Sequence, residues 1–369
     1  MSIISLSSLL VYLQYIFGML TPAATGLVVF PLVSSLLLIF FRERARFSIG
    51  FVISCVLLFI VFIIAFMQSS MASYPQYKFM FTLVKWISYL TIGYYVYLNS
   101  HDYFKISFLL LLIFTCFCMF SMIFGSYEVD LNNRLFVGVY NPIWIGRAIY
   151  EMLLVATIAL SIKKKYMLVL FFLCLYISYA SGSKSSILSF LIVAFAYFNS
   201  RNQVSKLKKF SLLSVFLVLC FGIAYYFKDD VYFQSRFLSL VPENSSVEIY
   251  NSSRVVVWPN TISLFLSQDI YPLLFGNGLG EFPKFYLGVE PTFKYYPHNA
   301  ILEFLVEFGV LFTFAFIAYV AYFYFKSDDP IKYLLLYYVI CSMFSGDLLL
   351  NEFVFLYLGM VIRSVEYNS

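Results

Sequence analysis

The chain has 369 residues, of which 62% are hydrophobic and 12% are charged, with a formal net charge of +5. A soluble domain carries about 25% charged residues, so the composition excludes a water-soluble globular protein. The basic residues sit in short loops and give no footprint for nucleic acid, and six scattered cysteines with two distant histidines give no zinc or haem ligand set.

Apolar runs recur along the whole length, most of them near the 20 residues needed to cross about 30 Å of hydrocarbon. In chain order they predict spans at 3–20, 23–41, 48–68, 79–98, 106–125, 142–161, 166–181, 185–199, 210–227, 299–325, 331–346 and 348–362. The first lacks a basic leader and a small-residue cleavage site, and is expected to be a retained helix. The expected fold is therefore all-α: a polytopic integral membrane protein with about twelve transmembrane helices. All six cysteines fall inside these runs, none in a CxxC pair, and read as small buried hydrophobes.

Charge sets the expected orientation. The even-numbered connections, such as RERAR at 42–46, KKK at 163–165 and RNQVSKLKK at 201–209, together with Arg363 hold 14 of the 24 Lys and Arg. By the positive-inside rule these loops and both termini are expected to be cytoplasmic. Three regions follow: 1–227 with nine helices, a large extracytoplasmic loop at 228–298, and 299–369 with three helices and a cytoplasmic end. The loop is rich in Tyr, Phe, Leu and Val, which argues against disorder. It contains an amphipathic stretch, 253–268, and is expected to fold into short helices lying on the membrane face.

Charges inside or beside membrane spans are costly and mark candidate function. Those assigned to the outer half are Arg147, Glu151, Lys184, Arg254, Glu303, Glu307, Asp347 and Glu352. Lys184, in "YASGSKSSIL", either snorkels to the interface or holds an anionic headgroup among small residues. Arg254 opens the amphipathic stretch, where an arginine fork and a helix N-terminus together suit a phosphate. Arg147 and Glu151, four apart, either pair or leave Arg147 to line a cavity. His298 stands at the membrane entry of the tenth span. Histidine has the side chain that titrates nearest neutrality, which suits a general base. Glu303 and Glu307 share one helix face beyond it and either continue a polar cavity or pair with a basic residue inside the bundle.

Read together, "SSRVVVW", "PLLFGNGLGEF" and "HNAILEFLVEFG", in that order within and after the large loop, resemble the bacterial O-antigen ligase and polymerase superfamily. "GSKSSIL" takes the place of the family's Ser-Arg motif, with Lys184 where arginine is usual. The resemblance implies a glycosyltransferase of the inner membrane with its active site on the outer side. It implies transfer of a glycan from an undecaprenyl-diphosphate-linked oligosaccharide, with no cofactor and no obligatory metal. On that basis His298 and Arg254 are the catalytic candidates. Lys184, Arg147, Glu303, Glu307, Asn299 and Tyr296 are the substrate-binding ones, Tyr296 as a stacking ring for sugars. A chain-length regulator and a flippase are the protein partners such an enzyme would meet. "YNPIWIGR" and the compact length favour a repeat-unit polymerase for O-antigen or capsule; a ligase acting on the lipid A core is the alternative. A lipid-linked oligosaccharide flippase is a third reading. No internal repeat of the kind transporters carry is evident, and a folded loop of about 70 residues has little use in one.

Overall fold

The structure, a computed structural model, describes residues 6, 10–11, 26–41, 47–124, 128–129, 135–136, 142–181, 183–200, 253–344, 348 and 351–368. At 26–30, 41, 128–129, 135–136, 142, 164, 179, 184 and 253–255 it describes the backbone alone. Nearly all of the expected span 3–20, the span 210–227, the loop residues 228–252 and Asp347 lie outside the described residues.

The described chain is helical apart from a two-residue antiparallel ribbon, β1 (Glu128–Val129) with β2 (Leu135–Phe136). Helices α1 (Gly26–Phe41), α2 (Ile49–Met67), α3 (Ser73–Val96) and α4 (Ser100–Ile123) come first. They are followed by α5 (Pro142–Leu154), which runs into a π turn at Val155–Ala159, then α6 (Lys164–Ser181) and α7 (Lys184–Ser200). After the long loop come α8 (Ser253–Leu266) and the short α9 (Ile270–Phe275) and α10 (Phe282–Leu287). Helices α11 (Ala300–Lys326), α12 (Lys332–Phe344) and α13 (Glu352–Asn368) close the chain.

Among the described residues, three helical stretches are long and apolar enough to cross a membrane: Ile49–Met67, Ser73–Ile123 and Ala300–Lys326. Shorter apolar helices accompany them, among them Lys165–Ser178, Ser185–Ser200 and Lys332–Phe344. The second stretch joins α3 to α4 through a 3₁₀ turn, Tyr97–Asn99, and the backbone leaves the helical region at Asn99 (φ −128°, ψ 38°). The stretch 101–105, between the expected spans 79–98 and 106–125, is therefore helix and not loop. Asn99 occupies the N-cap position and Asp102 lies in the first turn, and both residue types favour a helix start there.

At the centre lies α13. Every residue from Glu352 to Ile362 is buried, as befits a helix apolar on all sides. It packs on α3, α12 and α11. Its approach to α3 is close: a Cβ on Gly359 would stand 2.2 Å from the Leu90 carbonyl oxygen, and one on Gly93 would stand 1.9 Å from that of Leu356. Small residues that let backbones meet are a common way to join helices in lipid, where no hydrophobic difference drives association. Trp86 on α3 stacks on Phe355 of α13 (ring centroids 4.1 Å) and donates its indole N–H to the Leu348 carbonyl (3.1 Å).

A Gly359→Val substitution must push α3 from α13, and overpacking of this kind costs about 1–3 kcal/mol. Thermal unfolding of the detergent-solubilised protein should show a lower midpoint, and an unchanged midpoint would mean the two helices are not in this contact.

Candidate functional site

The loop before α11 and the first turns of α11 hold most of the motif residues. Asn299 caps α11: its Oδ1 accepts from the Leu302 N–H (3.1 Å), as a helix start requires. His298, half-buried, adopts the left-handed conformation (φ 57°). That region is uncommon for a residue with a Cβ and costs about 1–3 kcal/mol where packing enforces it. Here the enforcement is visible. Pro297 is buried, and its carbonyl accepts from the Trp258 indole N–H (2.8 Å). The Tyr296 ring lies 4.4 Å from the His298 ring, centroid to centroid, and Lys294 sits over the other partner, Tyr296, at 5.1 Å. Burial, with Tyr286 beside it, raises the Tyr295 phenol above its ordinary pKa.

Helix α8 reaches this corner through Trp258. Arg254 stands one turn before Trp258, on the first turn of α8. Lys184 is the first residue of α7. The turn before it packs on α5, where Ser183 Oγ would stand 2.0 Å from a Cβ at Gly146, next to Arg147.

Helix α11 does not run straight. Gly309 has φ 74° and ψ 179°, which breaks the helix two residues beyond the second glutamate. The freed carbonyls are taken up by the glycine-rich loop: Asn277 N–H donates to Val306 O (2.8 Å) and Gly278 N–H to Glu307 O (3.2 Å). Broken helices at membrane depth persist only when neighbouring groups satisfy the backbone in this way. The fit leaves no room for side chains. A Cβ at Gly309 would stand 2.5 Å from the Gly276 nitrogen, and one at Gly276 would stand 2.4 Å from Glu307 O. The "GNGLGE" stretch is thus a clamp that ends one half of α11 and starts the other. It is anchored in turn to the α2–α3 corner, where Glu281 Oε1 accepts from both the N–H and the hydroxyl of Ser70 (2.6 Å each).

Behind this surface lies a buried ion cluster. Lys78 of α3 donates to Glu303 and to Glu307 of α11, the latter at 2.5 Å, and all three side chains are at most 1% exposed. The second oxygen of Glu303 accepts from Leu348 N–H (3.0 Å). Of the two alternatives open for these glutamates, pairing with a basic residue inside the bundle is what the geometry contains. One full turn-pair further along α3, Lys85 pairs with Glu352 of α13 (3.2 Å). Arg147 is also buried. It donates to Asn351 Oδ1 (3.0 Å) and to the Cys341 carbonyl (2.9 Å), with its guanidinium 5.1 Å from the Trp144 ring. Glu151 accepts from the hydroxyls of Tyr338 (2.5 Å) and Tyr357.

The candidates fall into two groups. Tyr296, His298 and Asn299 share one corner, with α8 strapped to it. Arg147 connects to that corner through Asn351, Leu348 and Glu303. Lys78, Lys85 and Glu281 take part in the same architecture and were not among the sequence candidates. The signal was available for the lysines: Lys78 and Lys85 are seven apart in an apolar stretch, and so lie on one helix face.

Beside the ion cluster is an apolar cavity of about 290 Å³. It starts at Ala300 and Ile301, just after the His298 corner, passes Trp86 and Phe304, and follows α11 to Phe325. Ile317 and Phe325, two of its lining residues, are exposed, so it opens on the flank of the bundle.

Fold and site together define an all-helical integral membrane protein with a polar, strained corner set over an apolar slot. Residues 169–318, from α6 through the break in α11, match the family model described as O-antigen ligase. That match supports the O-antigen ligase and polymerase superfamily and does not separate polymerase from ligase. A comparison with curated proteins finds no match.

Removing Lys78 leaves two carboxylates buried without their shared cation, a loss of about 3–5 kcal/mol for a buried pair. Lys78→Met should lower the unfolding midpoint sharply, and adding Glu303→Gln and Glu307→Gln should restore much of it. A Lys78→Met protein as stable as wild type would contradict the cluster.

Proposed function

We propose that the protein is a glycosyltransferase that moves a glycan from an undecaprenyl diphosphate carrier to the next carrier-linked repeat unit, at the outer face of the inner membrane. One observation supports this above the others. Trp258, one turn after Arg254, donates to the carbonyl of Pro297, the residue before His298, inside the segment that matches the O-antigen ligase family. The acceptor and donor sides of such a reaction would thereby share one corner.

In the proposed step, His298 takes the proton of the acceptor hydroxyl as that oxygen bonds to the anomeric carbon. The bond from that carbon to the diphosphate oxygen breaks, and the diphosphate leaves with the electron pair. Arg254 and Lys184 neutralise the departing charge, and electrostatic stabilisation of this kind is usually the larger contribution. Arg147 adds its charge from behind Asn351, a residue of the apolar cavity wall. Tyr296 stacks against a sugar, and Asn299 fixes the helix start that aims His298. Glu303 and Glu307 act through Lys78, holding α3 and α11 together under the corner. The apolar cavity suits the first isoprene units of the carrier, because it begins at Ala300 and opens sideways. No residue in this scheme needs a metal or cofactor.

The ligase reading keeps the donor side and changes the acceptor to the lipid A core. The "YNPIWIGR" stretch favours the polymerase.

His298→Asn tests the reading, since asparagine tolerates the left-handed backbone and lacks the base. A general base contributes about 10²–10⁴-fold. In a deletion strain complemented with this variant at wild-type abundance, the polysaccharide ladder should collapse to core plus one repeat unit. Long polymer accumulating on the carrier would instead show a ligase, and an unchanged ladder would remove His298 from the chemistry.

A further inference from the structure

A second cavity, of about 370 Å³, lies away from His298 and differs from the apolar one in its lining. Four elements build it: the end of α2, the end of α8, the glycine-rich loop and α10. Three side-chain amides face it, those of Gln68, Gln268 and Asn277, with the carboxylate of Glu281, the ammonium of Lys284 and the ring of Phe285.

The hydrogen bonds show how these groups are held and what they have left. Gln268 and Asn277 exchange bonds, Nε2 to Oδ1 at 2.6 Å and Nδ2 to Oε1 at 3.2 Å, and Asn277 Nδ2 also reaches Val306 O at 3.1 Å. An amide can make four bonds, so Gln268 keeps a donor and an acceptor site. Gln68 spends Nε2 on the Tyr271 hydroxyl (3.3 Å), while its Oε1 is buried and has no partner among the described residues. Glu281 spends Oε1 on Ser70, leaving Oε2. Buried polar atoms are ordinarily satisfied, so an unpartnered amide oxygen on a residue of the cavity wall is one that a ligand hydroxyl would satisfy once the side chain turns toward it.

The chemistry in common is that of a sugar ring. A pyranose presents hydroxyls that both donate and accept around its edge and C–H groups on its face. Amides and a carboxylate serve the edge, and an aromatic ring, negative on its face, serves the C–H groups. A lipid tail would find too many polar atoms here, and a phosphate would meet Glu281.

The position adds to the argument. Trp258 reaches Pro297 at one end of α8, and the cavity lies at the other, about 12 Å along the axis at 1.5 Å per residue. Tyr74 N–H donates to Pro291 O (3.3 Å), which keeps the α2–α3 corner and the approach to His298 on one end of the molecule. A short oligosaccharide can span from one site to the other.

We infer that this cavity is a distal glycan subsite, holding a sugar of the repeat unit remote from the bond being made and selecting the repeat by its hydroxyl pattern. The assignment rests on the proposed transferase reading and gives it a basis for substrate choice outside the reacting corner.

The test uses the full-length protein in lipid nanodiscs and, as probe, the repeat-unit oligosaccharide released by mild acid from the carrier lipid of a deletion strain. Saturation-transfer NMR titrations give its affinity. Gln68→Ala/Gln268→Ala should bind about tenfold more weakly than wild type, and Lys284→Ala about twofold to threefold more weakly. Should the double variant unfold, Lys284→Ala, a change on an exposed side chain, decides alone. Undiminished affinity in the pocket variants, or no binding to wild type, overturns the assignment. Failure of the transferase reading shows separately, as carrier-linked repeat unit that crosses the proteoliposome bilayer intact with no undecaprenyl diphosphate released.

Discussion

The arrangement depends on one ammonium group. Lys78 on α3 lies between Glu303 and Glu307 on α11, all three buried. Isolated buried charge is prohibitive in a low-dielectric interior, so the three must be brought together for the bundle to close. Their meeting fixes the first half of α11 against α3, and α3 is the helix on which central α13 packs. What stands at the N-terminus of that half-helix, Asn299 and His298, is positioned as a consequence. The break at Gly309 belongs to the same device. It lets the short buried half of α11 take an orientation of its own, while the glycine loop satisfies the carbonyls that the break exposes.

Much of this was legible in the residues. Apolar runs located most described helices to within a few residues, because a span of that hydropathy has no other way to satisfy its backbone in lipid. The amphipathic stretch at 253–268 is α8, Ser253–Leu266. The candidate cluster around His298 was found because histidine and carboxylates are rare in such runs. Three things escaped. Lys78 was placed outside its span, since a run of apolar residues does not mark where a helix begins, and α3 starts at Ser73. The role of Glu303 and Glu307 depended on a partner more than 200 positions away, which no local pattern reveals. The break at Gly309 left no trace in hydropathy, because the residues on both sides are apolar and the glycine was one among sixteen.

The protein carries two unlike cavities, one beginning beside the corner that holds His298 and one at the far end of α8. One is apolar and opens on the side of the bundle; the other is lined by amides and charges and built from the loop elements. An enzyme whose donor carries both a lipid and a glycan needs environments of both kinds, separated by the reacting bond. The backbone at His298 is strained beside the apolar one, and strain held in place by packing is common where geometry serves chemistry.

The most direct measurement is made on the purified protein in proteoliposomes supplied only with the carrier-linked repeat unit. Mass spectrometry of the products should show glycans lengthening by whole repeats and one undecaprenyl diphosphate released for each bond formed. Substrate that crosses the bilayer intact, with no carrier released, would contradict the account and point to a transporter.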